Sequence, residues 1–180
     1  ESTFADVTHN PDIRAAVLIS GKPDSYIVGA DVDMLGALES VEDAEAMVRR
    51  AHAAMGRVEA SSKPYVAAIH GQALGGGFEV ALACHARVLS DSPKTAVGFP
   101  EVQLGLLPGL NGLQRLARLT SVQVALEHGL SGKNMYARKA KKLGVADDVV
   151  TQSILLDVAK KLALGLARGE APKRHNGSTR

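Results

Sequence analysis

The stretch from Pro64 to Glu101, PYVAAIHGQALGGGFEVALACHARVLSDSPKTAVGFPE, leaves the chain few ways to fold. Tyr65 to Ile69 is a short apolar run with β-branched residues, the signature of a buried strand. Gly71 breaks it, and Gly75, Gly76 and Gly77 precede a second apolar segment, Phe78 to Cys84, which reads as a helix with glycines in its first turn. A strand entering a helix through a Gly-rich turn leaves backbone N–H groups without intrahelical acceptors at the helix start. The helix dipole adds partial positive charge there, so the turn suits a developing negative charge. Glu79 lies just inside the helix, and Glu101 follows a second turn marked by Gly98 and Pro100. Adjacent glycines also serve tight turns and close strand–helix packing, so the run by itself carries no chemistry. It fits neither usual phosphate template: there is no G-x-G-x-x-G after the strand and no Lys-Ser or Lys-Thr pair closing the loop. A carboxylate at Glu79 would repel phosphate, so the pattern favours a neutral acceptor that gains charge during reaction.

A chain of 180 residues suits one domain with a sizeable core. A net charge of +2 gives no argument for nucleic acid, and 3% aromatic residues supply no stacking platform for bases. The single cysteine, Cys84, sits in an apolar helical segment and reads as a core residue of a reduced compartment. The six histidines show no metal-ligand spacing, and no apolar run reaches membrane-spanning length.

Along the chain, Glu1 to Pro11 is polar, and Ala15 to Ser20 reads as a strand ended by Gly21 and Pro23. In SYIVGADVDML, Gly29 interrupts an apolar run before Ala30 and Asp31. Such a glycine permits a close backbone approach, so that the next residue can present its N–H to a ligand, or simply turns the chain. Ser40 with Asp43 forms a capping pair. Val41, Ala44, Met47, Val48, Ala51, Met55 and Val58 then recur at helical spacing, with His52 as a boundary residue. Ala86 to Leu89 reads as a strand, and Glu101 falls in a Gly- and Pro-rich loop region. Helices are expected over Gln114 to Leu119, over Ser121 to His128 with Gly129 as the stop, and over Met135 to Leu143. The last is basic through Arg138, Lys139, Lys141 and Lys142, which reads as a solvated face or as a run that favours a nucleotide phosphate. Val145 to Val150 reads as a strand and Ser153 to Leu166 as a final amphipathic helix. Strands alternating with helices indicate one α/β domain with mostly parallel strands.

Four segments in order carry a resemblance: IVGADVDML, AAIHGQALGGGFEVALACHARV, GFPEVQLGLLPGLNGLQRL and LSGKNMYARKAKKLGVADDVV. From about Ile13 to Val150 the chain resembles the crotonase (enoyl-CoA hydratase/isomerase) superfamily, and most of all the hydratase end of the fatty-acid oxidation multifunctional α subunit. The resemblance implies a spiral of ββα units over residues 1–168, N-terminally incomplete because the family's first strands are not matched, with a flexible polar tail over 169–180. It implies an acyl-CoA thioester as substrate, with coenzyme A part of the substrate and no further cofactor. By motif position, the oxyanion hole falls on the N–H groups of Ala30 and Gly76, and the catalytic pair on Glu79 and Glu101. Val28, Gly29, Asp31, Val32, Leu74, Gly75, Gly77, Pro100, Leu104 and Gly109 fall at substrate-binding positions.

The implied reaction is hydration of 2-enoyl-CoA to 3-hydroxyacyl-CoA in fatty-acid β-oxidation, with Glu79 holding and activating water and Glu101 delivering a proton to the α carbon. Isomerisation of a 3-enoyl to a 2-enoyl thioester and a non-catalytic acyl-CoA-binding module stay open beside it. Homo-oligomers of trimer type, or membership of a fatty-acid oxidation complex, are the implied assemblies. The implied compartment is the cytoplasm, with a mitochondrial one also open. The chain departs from the family where Gly-Gly-Thr-Gln-Arg becomes Asn111-Gly112-Leu113-Gln114-Arg115, in a loop beside the acyl pocket. The dehydrogenase half of the multifunctional protein is not matched, so no NAD site is expected.

Overall fold

The computed structural model describes residues 2–29 and 40–170. Two sheets carry the architecture. In the first, β1 (Ala16–Ile19), β3 (Tyr65–Ile69), β5 (Ala86–Ser90) and β8 (Asp148–Val150) lie in that order. All of its pairings are parallel, with Ala16 opposite Tyr65, Val66 opposite Ala86 and Val88 opposite Asp148. In the second, β2 (Ser25–Val28), β4 (Gln72–Leu74), β6 (Ala96–Gly98) and β7 (Met135–Tyr136) follow one another. Only the β6–β7 pairing there is antiparallel. Each successive odd strand crosses to an even strand in the other sheet, so β1–β2, β3–β4 and β5–β6 stack as turns of a spiral. The helices are α1 (Ser2–His9), α2 (Val41–Glu59), α3 (Gly76–Ala83), α4 (Gly112–Leu119), α5 (Val122–Ser131), α6 (Ala137–Lys142) and α7 (Leu155–Ala167).

The central strand explains its own composition. Every residue of β3 is buried, because both faces are covered. Tyr65, Ala67 and Ile69 face the main core with Phe78, Phe99, Leu116 and Met135. Val66 and Ala68 face the opposite side with Val88 and, from α7, Leu155, Ala159 and Ala163. Phe78 and Phe99 meet with ring centroids 4.8 Å apart, joining α3 to the segment that follows β6.

The passage between the sheets depends on Gly71. Its φ is +71°, and a Cβ there would lie 2.0 Å from the Asp24 carbonyl oxygen. The Gly71 N–H donates to Thr95 Oγ1 at 3.0 Å, and that hydroxyl meets Ser90 Oγ at 2.6 Å. Ser90 Oγ in turn lies 2.9 Å from His70 Nδ1. Ser90 and Thr95 are fully buried, so an apolar replacement strands a backbone donor. Thr95→Val is therefore expected to destabilise the fold by about 1–3 kcal/mol, read as a lower thermal midpoint, whereas Thr95→Ser keeps the hydroxyl and restores most of the loss.

A second polar anchor is Arg87. Its Nε donates to Val145 O at 2.7 Å and its Nη1 to Cys84 O at 2.8 Å and Ala81 O at 3.2 Å. Its Nη2 lies 3.4 Å from Asp147 Oδ2, and both side chains are 2% exposed. The guanidinium thus caps the end of α3 and ties it to the segment entering β8. Cys84 is buried beside it, and burial pushes its thiol up to about 11.

Most expected elements are present, with instructive differences. Ser40 caps α2, accepting from the Asp43 N–H at 3.0 Å. The polar start forms α1, held because Phe4 stacks on Tyr65 at 5.8 Å. Gln72–Leu74 and Ala96–Gly98 are strands too short to show alternation. Met135 and Tyr136 pair with β6 rather than opening the basic helix, which runs only from Ala137 to Lys142. Gly129 does not end α5. A Cβ there would lie 2.3 Å from Leu113 Cδ2, so it lets α4 approach, and the stop is Gly132 at φ +66°. Glu101 sits in a 3-10 turn, Pro100–Leu104, rather than an irregular loop.

Candidate active site

Gly75 has φ 56° and ψ −130°, a conformation essentially reserved for glycine. Its N–H donates to Gly98 O at 2.9 Å, while its carbonyl accepts from the N–H groups of Phe78 at 2.9 Å and Glu79 at 3.0 Å. The turn is therefore held from both sides. It leaves the Gly76 and Gly77 N–H groups in the first turn of α3, where the helix itself offers no acceptor. A Cβ on Gly76 would meet no described atom within 4 Å, whereas one on Gly77 would lie 2.0 Å from Ile27 O. Gly76 is thus clear of the described residues, and Gly77 serves close packing of α3 against β2.

Gly29 is the neighbour of this turn across the sheet. Its φ is +75°, its N–H donates to Leu74 O at 2.9 Å, and its Cα lies 3.6 Å from where a Gly75 Cβ would stand. The expected sites Ala30, Asp31 and Val32 lie outside the described residues.

Glu79 is 2% exposed, and its Oε1 accepts from the Leu110 N–H at 2.7 Å and the Gly112 N–H at 2.9 Å. Arg115 Nη1 fixes this loop by donating to Leu110 O at 2.6 Å, while its Nε and Nη2 hold Glu59 at 3.2 and 3.0 Å. Burial pushes the Glu79 carboxyl above its ordinary range, against the pull of the two N–H bonds and of the Arg115 and His52 charges. Gly112 must lack a side chain here: a Cβ would lie 2.7 Å from Glu79 Cγ and 2.6 Å from Phe99 Cε1.

Glu101 enters from the 3-10 turn behind Pro100. Its Oε1 would lie 3.1 Å from a Gly75 Cβ, so the carboxyl rests against the Gly75 backbone, and its buried Oε2 has no hydrogen-bond partner among the described residues. Burial raises its pKa, its own backbone N–H lowers it, and the Glu79 charge raises it again. Two acids of raised pKa thus flank one Gly turn, one held by two N–H donors from the Leu110–Gly112 loop and the other met by its own backbone N–H.

The remaining expected contacts divide. Leu74 and Pro100 are half-buried beside the turn, while Val28 is 49% and Leu104 79% exposed, and Gly109 lies at the surface. The cradle from Leu110 and Gly112 has no distinctive side chain in the sequence, because it acts through N–H groups. The Asn111-Gly112 pair is its only sequence signal, as a turn capable of positive φ. Among the described residues, no group of His, Cys, Asp and Glu could hold a metal ion, and no helix is long and apolar enough to cross a membrane.

Mostly parallel strands wound as ββα turns through a Gly-rich helix start form the crotonase class of fold. A family model described as enoyl-CoA hydratase/isomerase matches residues 1–175. The chain belongs to the enoyl-CoA hydratase/isomerase family. Among solved structures it is similar to an enoyl-CoA hydratase from Geobacillus kaustophilus, with 30% identity, a TM-score of 0.85, and coverage of 92% of this chain and 62% of that one. An enoyl-CoA hydratase from Bacillus anthracis matches with 30% identity and a TM-score of 0.85 over 95% of this chain and 65% of that one. Pseudomonas aeruginosa DspI matches with the same identity and TM-score over 95% of this chain and 68% of its own. The chain therefore spans 62% of the length of the Geobacillus protein.

Proposed function

We propose that this chain hydrates a 2-enoyl-CoA thioester to the 3-hydroxyacyl thioester, as a step of fatty-acid β-oxidation. The observation that carries the reading is the unequal environment of two acids, Glu79 buried and Glu101 half-buried, on either side of the Gly75–Gly76 turn. Glu79 is held through one oxygen by two N–H donors, which favours its carboxylate and leaves the other oxygen for water. Glu101 has a buried oxygen without a partner among the described residues and a neighbouring negative charge, which favour its protonated form. Environments that separate two acids in this way suit one to base and one to acid work.

In this reading the thioester oxygen lies against the Gly76 N–H, with the Ala30 N–H as its second donor. Water, its proton passing to Glu79, forms a bond from oxygen to the β carbon. The α,β double bond becomes single, and negative charge gathers on the thioester oxygen. Glu101 then gives a proton to the α carbon, and the carbonyl re-forms. The proton gained by Glu79 and lost by Glu101 is returned through solvent before the next turnover. Two preorganised donors are effective because each is worth about 3–4 kcal/mol of barrier in such sites.

The reading also expects self-association. Val122, Leu126 and Leu130 recur on one exposed face of α5, and Leu104, Leu106 and Leu107 are exposed as well. Surface of this kind supports burial against further copies of the chain.

The test is loss of the conjugated thioester absorbance of crotonyl-CoA in the presence of the purified chain. Turnover to 3-hydroxybutyryl-CoA is the expected result. Tight crotonyl-CoA binding without water uptake, together with conversion of a 3-enoyl to a 2-enoyl thioester, would replace hydration with isomerisation. Binding with neither reaction would make this a binding module.

A further inference from the structure

The N–H pair that holds Glu79 is built around one unusual residue. Asn111 has φ +63° and ψ +25°, and it is the one non-Gly residue at positive φ among the described residues. A left-handed residue turns the N–H groups on its two sides toward a common point, where an anion fits. Here those groups belong to Leu110 and Gly112, and the anion is Glu79 Oε1. Glycine adopts this conformation without strain, and asparagine is among the few side chains that tolerate it. Asparagine therefore keeps the turn and adds a side chain.

That side chain has a partner. Asn111 Nδ2 lies 3.2 Å from His52 Nδ1, joining the start of α4 to the middle of α2. The amide suits either state of the imidazole. Its N–H donates to a neutral Nδ1, and after an amide flip its oxygen accepts from a protonated one. A second tie between the same elements lies on the other side of the loop, where Arg115 holds both Glu59 of α2 and the Leu110 carbonyl.

We propose that Asn111 and His52 are positioning residues for Glu79: their contact latches the Leu110–Gly112 N–H pair to α2 and so sets how firmly the carboxylate is held. Among the described residues, the charged and titratable groups that bear on Glu79 are Arg115 from α4, His52 from α2 and Glu101 from the 3-10 turn, with Arg115 itself paired to Glu59. That the held carboxylate takes a proton from water rests on the hydratase reading, but the latch does not.

The test follows the carboxyl carbon of Glu79 by NMR in protein labelled with 13C at the glutamate carboxyl, the signal being assigned by its loss in Glu79→Gln. Asn111→Gly keeps the left-handed turn and removes only the side-chain contact. It is expected to move the Glu79 titration midpoint upward, by about two- to fivefold in ionisation constant. In a His52→Ala background, which already lacks the latch, Asn111→Gly is expected to add no further shift. An unmoved midpoint, or an equal shift in both backgrounds, would overturn the latch. None of these readouts needs turnover, so failure of crotonyl-CoA hydration by the unaltered chain would count against the hydratase reading alone. If hydration is observed, the acidic limb of kcat/KM is expected to move to higher pH in Asn111→Gly, in step with the midpoint.

Discussion

Glu101→Gln is expected to slow crotonyl-CoA hydration about 100- to 10,000-fold, the range that acid–base help supplies, while making the folded chain more resistant to heat at neutral pH. The two effects share a cause. The Glu101 carboxyl is pushed upward by burial and by the charge of Glu79, and its Oε2 is buried without a partner among the described residues. A group whose folded pKa is raised binds its proton more tightly in the native state than in the unfolded chain. Its contribution to stability is therefore fully present below the unfolded pKa and is lost as pH rises through the folded one. Above the unfolded pKa the native site carries a cost, either in binding a proton or in holding a negative charge, that glutamine, being neutral, does not carry. Thermal melts of both proteins at a series of pH values check this: the variant should melt higher at pH 7, and the gap should shrink at pH values below the ordinary carboxyl range. An equal gap at all pH values would assign the difference to shape rather than charge. Full hydration activity in the variant would remove Glu101 from the chemistry.

The second large effect is expected from Asp147→Ala, which leaves Arg87 buried without its carboxylate. Both side chains are 2% exposed, and Asp147 Oδ2 also accepts from the Arg87 backbone N–H at 2.9 Å. Breaking one side of such a pair costs about 3–5 kcal/mol, because the surviving charge stays out of water. For a chain of this length that corresponds to a fall of about 10 °C in thermal midpoint. Arg87→Met should cost at least as much, since it also strips donors from the carbonyls of Ala81, Cys84 and Val145. A loss no greater than that of a surface substitution in either variant would show that water reaches the pair. The anchor holds the carbonyls at the end of α3 whereas Glu79 lies in its first turn, so crotonyl-CoA turnover well below the melting range should change little.

The strand–turn–helix from Tyr65 to Ala83 was legible in the sequence because each of its constraints is local. A continuous apolar run names a strand covered on both faces, and glycines in a row name a helix entry where N–H groups must stay open. The same locality made Ser40 readable as a cap. Elements of two or three residues such as β4, β6 and β7 were not readable, because no periodicity fits in so short a span. Met135 and Tyr136 became a strand only because β6 offered an edge to pair with. Gly129 misled for a related reason: it answers to Leu113 across a helix interface rather than to its own helix.

The sequence by itself determined that two glutamates, a Gly turn and the spacing between them recur as in the enoyl-CoA hydratase/isomerase family. Residue type and order are what a motif records. Only the tertiary structure decided that the two acids differ. Glu79 meets N–H groups 31 and 33 residues further along the chain, while Glu101 meets a glycine backbone and has an oxygen left over. Charge, burial and hydrogen bonding at a carboxylate are properties of what surrounds it, and backbone donors carry no mark in a sequence of side chains.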